Sequence, residues 1–238
     1  MGCENQKIII IGGSSGIGLA TARMAASRGA NVVIASRSEE RLRHARTQIQ
    51  GKVEISTVNV MEEASVRAFF DRMGQFHHLT TPGSEAVRGR FLELDTKAAQ
   101  TAFDSKFWGQ YRAAKYGAPR ILPGGSITFF AGMWSQRPVL GGAVVAAINS
   151  AFEGLGRALA VELAPIRVNT VSPGIIDTPL YSGMEPSKRE AMFHGIAASI
   201  PAKRVGRPEE IAQTVLYLLE NGFTTGSTLY VDGGATLR

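Results

Sequence analysis

The chain has 238 residues, of which 44% are hydrophobic and 19% charged, with 26 Lys+Arg against 20 Asp+Glu for a net charge of +6. Such a composition excludes a disordered chain, and the length suits one large α/β domain or two small ones. The single cysteine, Cys3, excludes a disulfide framework or a cysteine-based metal site, and no apolar run approaches the roughly 18 residues of a membrane span. The segment before Lys7 lacks a basic stretch followed by an apolar one, so no secretory leader, no membrane and a reducing cytoplasmic setting are expected.

Lys7 to Ile11 is a nearly continuous β-branched run, the mark of a strand buried on both faces. A helix over Ile17 to Arg28 follows, with Gly29 as its C-cap, then a second buried strand from Asn31 to Ala35. Ser38 is the expected N-cap of a helix to Gln50. Val53 to Val60 reads as a strand, Ala64 to Met73 as a helix and Leu79 to Gly83 as a short strand end. Next come a long helix over Thr96 to Tyr116, a strand over Ser126 to Phe130 and a small-residue helix over Val144 to Leu163. Arg167 to Val171 and Thr228 to Val231 are strands, with a helix from Glu209 to Leu219 between them. Strict βα alternation without a linker predicts one Rossmann-type domain, a doubly wound parallel sheet with helices on both faces. The strandless stretch from Ile175 to Pro208 is expected to be a substrate lid.

Gly12-Gly13-Ser14-Ser15-Gly16-Ile17-Gly18 joins the first strand to the first helix. Glycines there let backbone N–H groups approach a pyrophosphate, and the helix N-terminus adds its positive dipole end. The second strand ends in Ser36-Arg37, where an NAD site would carry an acid for the ribose 2′-hydroxyl. A hydroxyl plus a guanidinium suits a 2′-phosphate, so NADP(H) is the expected cofactor. The basic residues are densest at Arg37, Arg41, Arg43 and Arg46 but carry no interleaved aromatics. A local anionic ligand explains that group better than a nucleic acid, and no nucleic-acid partner is expected.

These features resemble the short-chain dehydrogenase/reductase family. Gly12, Gly16 and Gly18 give its loop spacing, and Pro173-Gly174-Ile175-Ile176-Asp177-Thr178 its PG-x-I-x-T element. Gly206-Arg207-Pro208-Glu209-Glu210 and Val231-Asp232-Gly233-Gly234 are similar to its C-terminal signature, so the likeness runs from Lys7 to Gly234. By that resemblance Gly12, Ser14, Ser15, Gly16, Ile17 and Gly18 would hold the pyrophosphate, and Ser36 and Arg37 the ribose phosphate. Asn59 and Val60 would flank the adenine, Gly83 would line the loop after the fourth strand, and Pro173, Gly174, Ile176 and Thr178 would hold the nicotinamide. The resemblance also implies a homodimer or homotetramer.

The family's catalytic Asn, Ser, Tyr and Lys are all replaced. Alignment places Lys106 at the asparagine position, Gly132 at the serine, Val145 at the tyrosine and Asn149 at the lysine. Val145 cannot transfer a proton, and Asn149 cannot lower a neighbour's pKa as an ammonium does. Lys106 is the leading catalytic substitute, with Ser135 and His194 behind it, while Trp134, Tyr181 and Met184 are candidates to line a substrate pocket. His77 and His78 have no metal-ligand partners at suitable spacing, and no metal site is expected. Two functions remain open: an NADP(H)-dependent oxidoreductase acting on a small carbonyl, alcohol or enone without the Tyr–Lys pair, or a catalytically silent NADP(H)-binding protein.

Overall fold

Isoleucines 8 to 11 of β1 (Lys7–Ile11) are all buried because helices cover both faces of the strand. In the computed structural model, which describes residues 2–83 and 87–237, the chain continues through α1 (Gly16–Ser27), β2 (Asn31–Ser36), α2 (Glu39–Thr47), β3 (Val53–Thr57), α3 (Glu63–Met73) and β4 (Phe76–Thr80). The second half runs α4 (Thr96–Ala102), a π-helical stretch (Phe103–Trp108), α5 (Gly109–Gly117), β5 (Ile121–Phe130), α6 (Ala143–Glu162), β6 (Arg167–Pro173), α7 (Pro186–Ser199), α8 (Pro208–Glu220) and β7 (Thr228–Val231).

The seven strands form one parallel sheet in the order β3-β2-β1-β4-β5-β6-β7. One face packs Ile8, Ile10, Val32 and Ile34 under α1, α2 and α8, and the other packs Ile9, Val33, Leu79 and Phe129 under α3, α5 and α6. The strand order reverses between β1 and β4, and a crevice opens there at the carboxyl ends of the strands, where open α/β sheets take their ligands. By length and composition α6 could cross a bilayer; here it packs on β5 and β6 and buries Asn149 and Glu153.

β5 begins at Ile121 rather than Ser126, β3 ends at Thr57 rather than Val60, α2 ends at Thr47 rather than Gln50, and three further departures are more telling. β4 begins at Phe76 rather than Leu79, because His78 is buried and satisfied: Nδ1 meets Ser126 Oγ at 2.8 Å and Nε2 meets Gln6 Oε1 at 2.7 Å. The long helix expected over Thr96 to Tyr116 is broken in the middle by the wider π-helical turn, which carries Lys106 inward. The stretch expected to be a lid holds a helix of its own, α7, none of whose residues is buried.

Candidate functional site

The loop from β1 to α1 is shaped by close backbone approaches. Gly12 (φ +95°) lies against Gly83 after β4, where an added Cβ would sit 2.4 Å from Gly83 N. A Cβ on Gly18 would sit 2.1 Å from Gly12 O, so only glycine allows the loop to close over the start of α1. Ser15 is the N-cap of α1 and its side chain caps no backbone N–H, which leaves the helix start open toward the crevice.

A cleft of about 670 Å3 occupies this crevice. Of the fifteen residues the sequence assigns to a cofactor, Gly12, Ser14, Ser15, Gly16, Ile17, Ser36, Arg37, Val60, Gly83 and Thr178 line it. The other five do not. Gly18 is buried in α1, and Asn59 spends its amide in the turn before α3, on Glu62 and Met61 N. Pro173 ends β6, Gly174 packs against Asp232, and Ile176 is a core residue bridged to Gly206.

Arg41, which the sequence reading grouped with Arg37 near an anionic ligand without assigning it to the cofactor, also faces the cleft. Its Nη2 donates to Ser15 Oγ at 3.2 Å, and it lines the cleft with Arg37 and Ser36. Arg43 instead pairs with Glu39, and Arg46 caps the carbonyls of Val53 and Ile49. Only two of the four clustered arginines therefore face the cleft. Gln110 also lines it, tying β4 to β5: it accepts from Thr81 Oγ1 and Phe130 N and donates to Phe130 O.

Lys106 is 8% exposed, and its Nζ donates to Asn149 Oδ1 at 2.7 Å and to Ala131 O at 3.1 Å. No carboxylate lies within ion-pair distance of it among the described residues, and burial lowers its pKa to about 8. It neither reaches solvent nor pairs with Asp104 or Glu153; Asp104 meets Arg112. Ser105, beside it in sequence, lines the cleft. A Cβ on Gly132 would sit 2.9 Å from Asn149 Nδ2, so Asn149 and a serine at position 132 would crowd each other. Val145 is half-buried on α6 and offers no polar atom.

Ser135 is engaged elsewhere. It donates to the buried carboxylate of Glu153, which also accepts from Tyr230 OH at 2.8 Å. Trp134 is buried with the Arg88 guanidinium 4.4 Å from its ring centroid, and Tyr181 is buried edge-on to Phe193. His194 and Met184 are exposed. Among the described residues, no three His, Cys, Asp or Glu side chains converge as a metal site would require.

A family model described as Enoyl-(Acyl carrier protein) reductase matches residues 12–236. Short-chain dehydrogenase/reductase ATR9 of Stachybotrys chlorohalonatus is 34% identical over 251 residues, spanning 99% of this chain and 98% of the relative. Carbonyl reductase family member 4 of Danio rerio is 30% identical over 237 residues, spanning 96% and 97% respectively. Among solved structures, a small-chain dehydrogenase in complex with NADPH is similar with a TM-score of 0.85 and 36% identity, over 99% of this chain and 100% of that one. With the glycine loop, the parallel sheet and the cleft at its point of reversal, these likenesses show that the chain belongs to the short-chain dehydrogenase/reductase family.

Proposed function

We propose that the protein is an NADP(H)-dependent oxidoreductase acting on a small carbonyl compound, alcohol or activated double bond, with Lys106 and Asn149 standing in for the family's tyrosine and lysine. The cleft residues fit the cofactor. Gly12, Gly13 and Gly18 of the glycine cradle have no room for a Cβ, the open start of α1 suits a pyrophosphate, and Arg37 and Arg41 with Ser15 and Ser36 suit a ribose phosphate. The nicotinamide, when bound, supplies or accepts the hydride.

The observation that carries the reading is the buried ammonium of Lys106 on Asn149. Asn149 and the Ala131 carbonyl orient that ammonium beside the segment that replaces the family's serine. Lys106 would hold a proton at Nζ for the carbonyl oxygen, or for the enolate left when an enone takes the hydride at its β-carbon, and its lowered pKa of about 8 eases that transfer near neutral pH. A titration of the purified protein with NADPH and NADH, followed by fluorescence, tests the cofactor, and NADPH is expected to bind more tightly. A carbonyl and enone turnover screen then tests the chemistry, with Lys106→Ala expected to lower the rate about 10²–10⁴-fold. Turnover unchanged in that variant would remove Lys106 from the reaction.

One observation favours a second reading, a catalytically silent NADP(H)-binding protein. Val145 and Gly132 offer no hydroxyl, and two of the three N–H bonds of Lys106 already point at protein acceptors. Tight NADPH binding with no turnover of any carbonyl or enone would select it.

A further inference from the structure

β4 and β5 part where the crevice opens. Thr81 N still donates to Thr128 O at 3.3 Å, but two residues on Gly83 N donates to Ile11 O instead, so the chain after β4 follows β1. Pro82, between them, has no N–H to offer β5. Phe130 ends β5 buried, and its backbone N–H and C=O need partners there that β4 does not supply. Gln110 on α5 supplies both: its Oε1 accepts from Phe130 N at 2.9 Å, and its Nε2 donates to Phe130 O at 3.0 Å. A side-chain amide thus makes the rung that the departing strand leaves out. The same Oε1 accepts from Thr81 Oγ1 at 2.5 Å, so one buried group holds the ends of both strands.

Four residues earlier on the same helical run, Lys106 donates to Ala131 O at 3.1 Å. Two consecutive carbonyls, those of Phe130 and Ala131, are therefore gripped from one face of that run. Gly132 follows them directly. On the other side of the tie, Thr81, Pro82 and Gly83 line the cleft, and Gln110 lines it too. The strand order places β1 between β4 and β2, so these residues stand at the opposite end of the cleft from Ser36 and Arg37.

We propose that Gln110 is a positioning residue for the nicotinamide half of the cofactor: by joining the end of β4 to the end of β5 it presets residues 81–83 and 131–132 relative to each other. This inference rests on the NADP(H) reading above. A dinucleotide held by its ribose phosphate at Arg37 and Arg41 gains affinity at the far end of the cleft only as far as the floor there is already ordered. A floor that has to be ordered on binding takes that cost out of the binding free energy. The adenosine half, served by the end of β2 and the glycine loop, does not depend on the tie.

The experiment compares NADPH with adenosine 2′,5′-bisphosphate, which carries the ribose phosphate but no nicotinamide, by calorimetric titration of the wild type and two variants. Gln110→Met keeps the length of the side chain and removes all three hydrogen bonds. It should bind NADPH about tenfold more weakly and the bisphosphate as the wild type does, which also shows that the variant is folded. Gln110→Glu makes the tie depend on pH. A protonated carboxyl accepts from Phe130 N and Thr81 Oγ1 and donates to Phe130 O, whereas a carboxylate has no proton to give that carbonyl. Burial favours the protonated form, so NADPH affinity should match the wild type at about pH 6 and fall about tenfold below it at about pH 8.5. A side chain that only fills space gives no such profile, and this variant decides the matter if Gln110→Met does not fold. The proposal is overturned if NADPH and the bisphosphate weaken alike in Gln110→Met, if neither weakens, or if the ratio of Gln110→Glu to wild type is the same at both pH values. Wild-type protein that binds neither nucleotide would instead overturn the NADP(H) reading itself.

Discussion

Lys106 Nζ sits 2.7 Å from Asn149 Oδ1, joining the two residues that the family resemblance aligns with its asparagine and its lysine. The ammonium and the amide still meet between the π-helical stretch and α6, but the charge is attached from the opposite side. We propose that the two replacements implied by the resemblance are one exchange. Gly132 belongs to the same exchange, because the Asn149 amide fills the space a Cβ would need there.

Such a pair should behave as a unit under substitution. Asn149→Lys alone places two buried ammoniums together and should lower stability, and Lys106→Asn alone removes the cation while leaving two amides facing each other. The exchanged double variant restores one lysine to one asparagine. A double-mutant cycle on urea unfolding should give a favourable coupling of about 1–3 kcal/mol. Additive single effects would show that the two side chains do not sense each other.

Lys106 also predicts an unusual alkaline limb of stability. Its folded pKa is about 8 against 10.5 for the free side chain, lowered by burial. Below pH 8 both states hold the proton, and the cost of burying the ammonium is carried in full. Between pH 8 and 10.5 the folded state releases the proton first, so the unfolded state binds more protons and stability rises with pH. The gain at pH 9.5 should be about 2 kcal/mol relative to neutral pH. Unfolding midpoints of Lys106→Met should lack this rise when the two proteins are compared at each pH.

Arg41 should contribute to choosing between the two nicotinamide cofactors. It lines the cleft beside Arg37 and touches Ser15, so its charge is placed for a ribose phosphate and has no counterpart in a 2′-hydroxyl. Arg41→Ala should weaken NADPH roughly fivefold to thirtyfold, about 1–2 kcal/mol, and leave NADH within twofold. The loss should shrink as salt is raised, because Arg41 is exposed. Equal losses for both cofactors would place Arg41 on the pyrophosphate instead.

Much of the frame was legible because the physics is local. A β-branched run such as Ile8 to Ile11 has few alternatives to a buried strand, and the bounds of β1 and β7 match the expected ones. The glycine loop was legible for the same reason, since its spacing answers to steric contacts within a few residues and with Gly83. What escaped depends on distant partners. The start of β4 at Phe76 escapes a local reading because two histidines are unusual in a buried strand, and only Gln6 and Ser126 explain why His78 is at home there. The π-helical turn was invisible because Phe103, Phe107 and Tyr111 fit an ordinary helical period, while the ring cluster with Phe152 forms only across helices. Arg41 gained its meaning from a cleft assembled out of separate segments. Asn59 was assigned to the cleft by its place after β3, whereas its amide is consumed by the local turn.

His78 sets the acid limb. It is 1% exposed, and burial, with Arg167 and His77 adding smaller contributions, lowers its pKa to about 3 from 6.5. Above pH 6.5 the imidazole is neutral in both states and contributes no pH dependence. Below it the unfolded chain takes up a proton that the folded protein refuses, so stability falls steadily as pH drops toward 3. At pH 5 the loss should be about 2 kcal/mol. His78→Asn should be less stable at pH 7.5, since it gives up one of the contacts to Ser126 and Gln6, yet flatter with pH. Urea midpoints for both proteins between pH 7.5 and 5 measure the difference. Parallel slopes would mean that the buried ring is protonated without penalty, and that the Gln6–His78–Ser126 chain accommodates the charge.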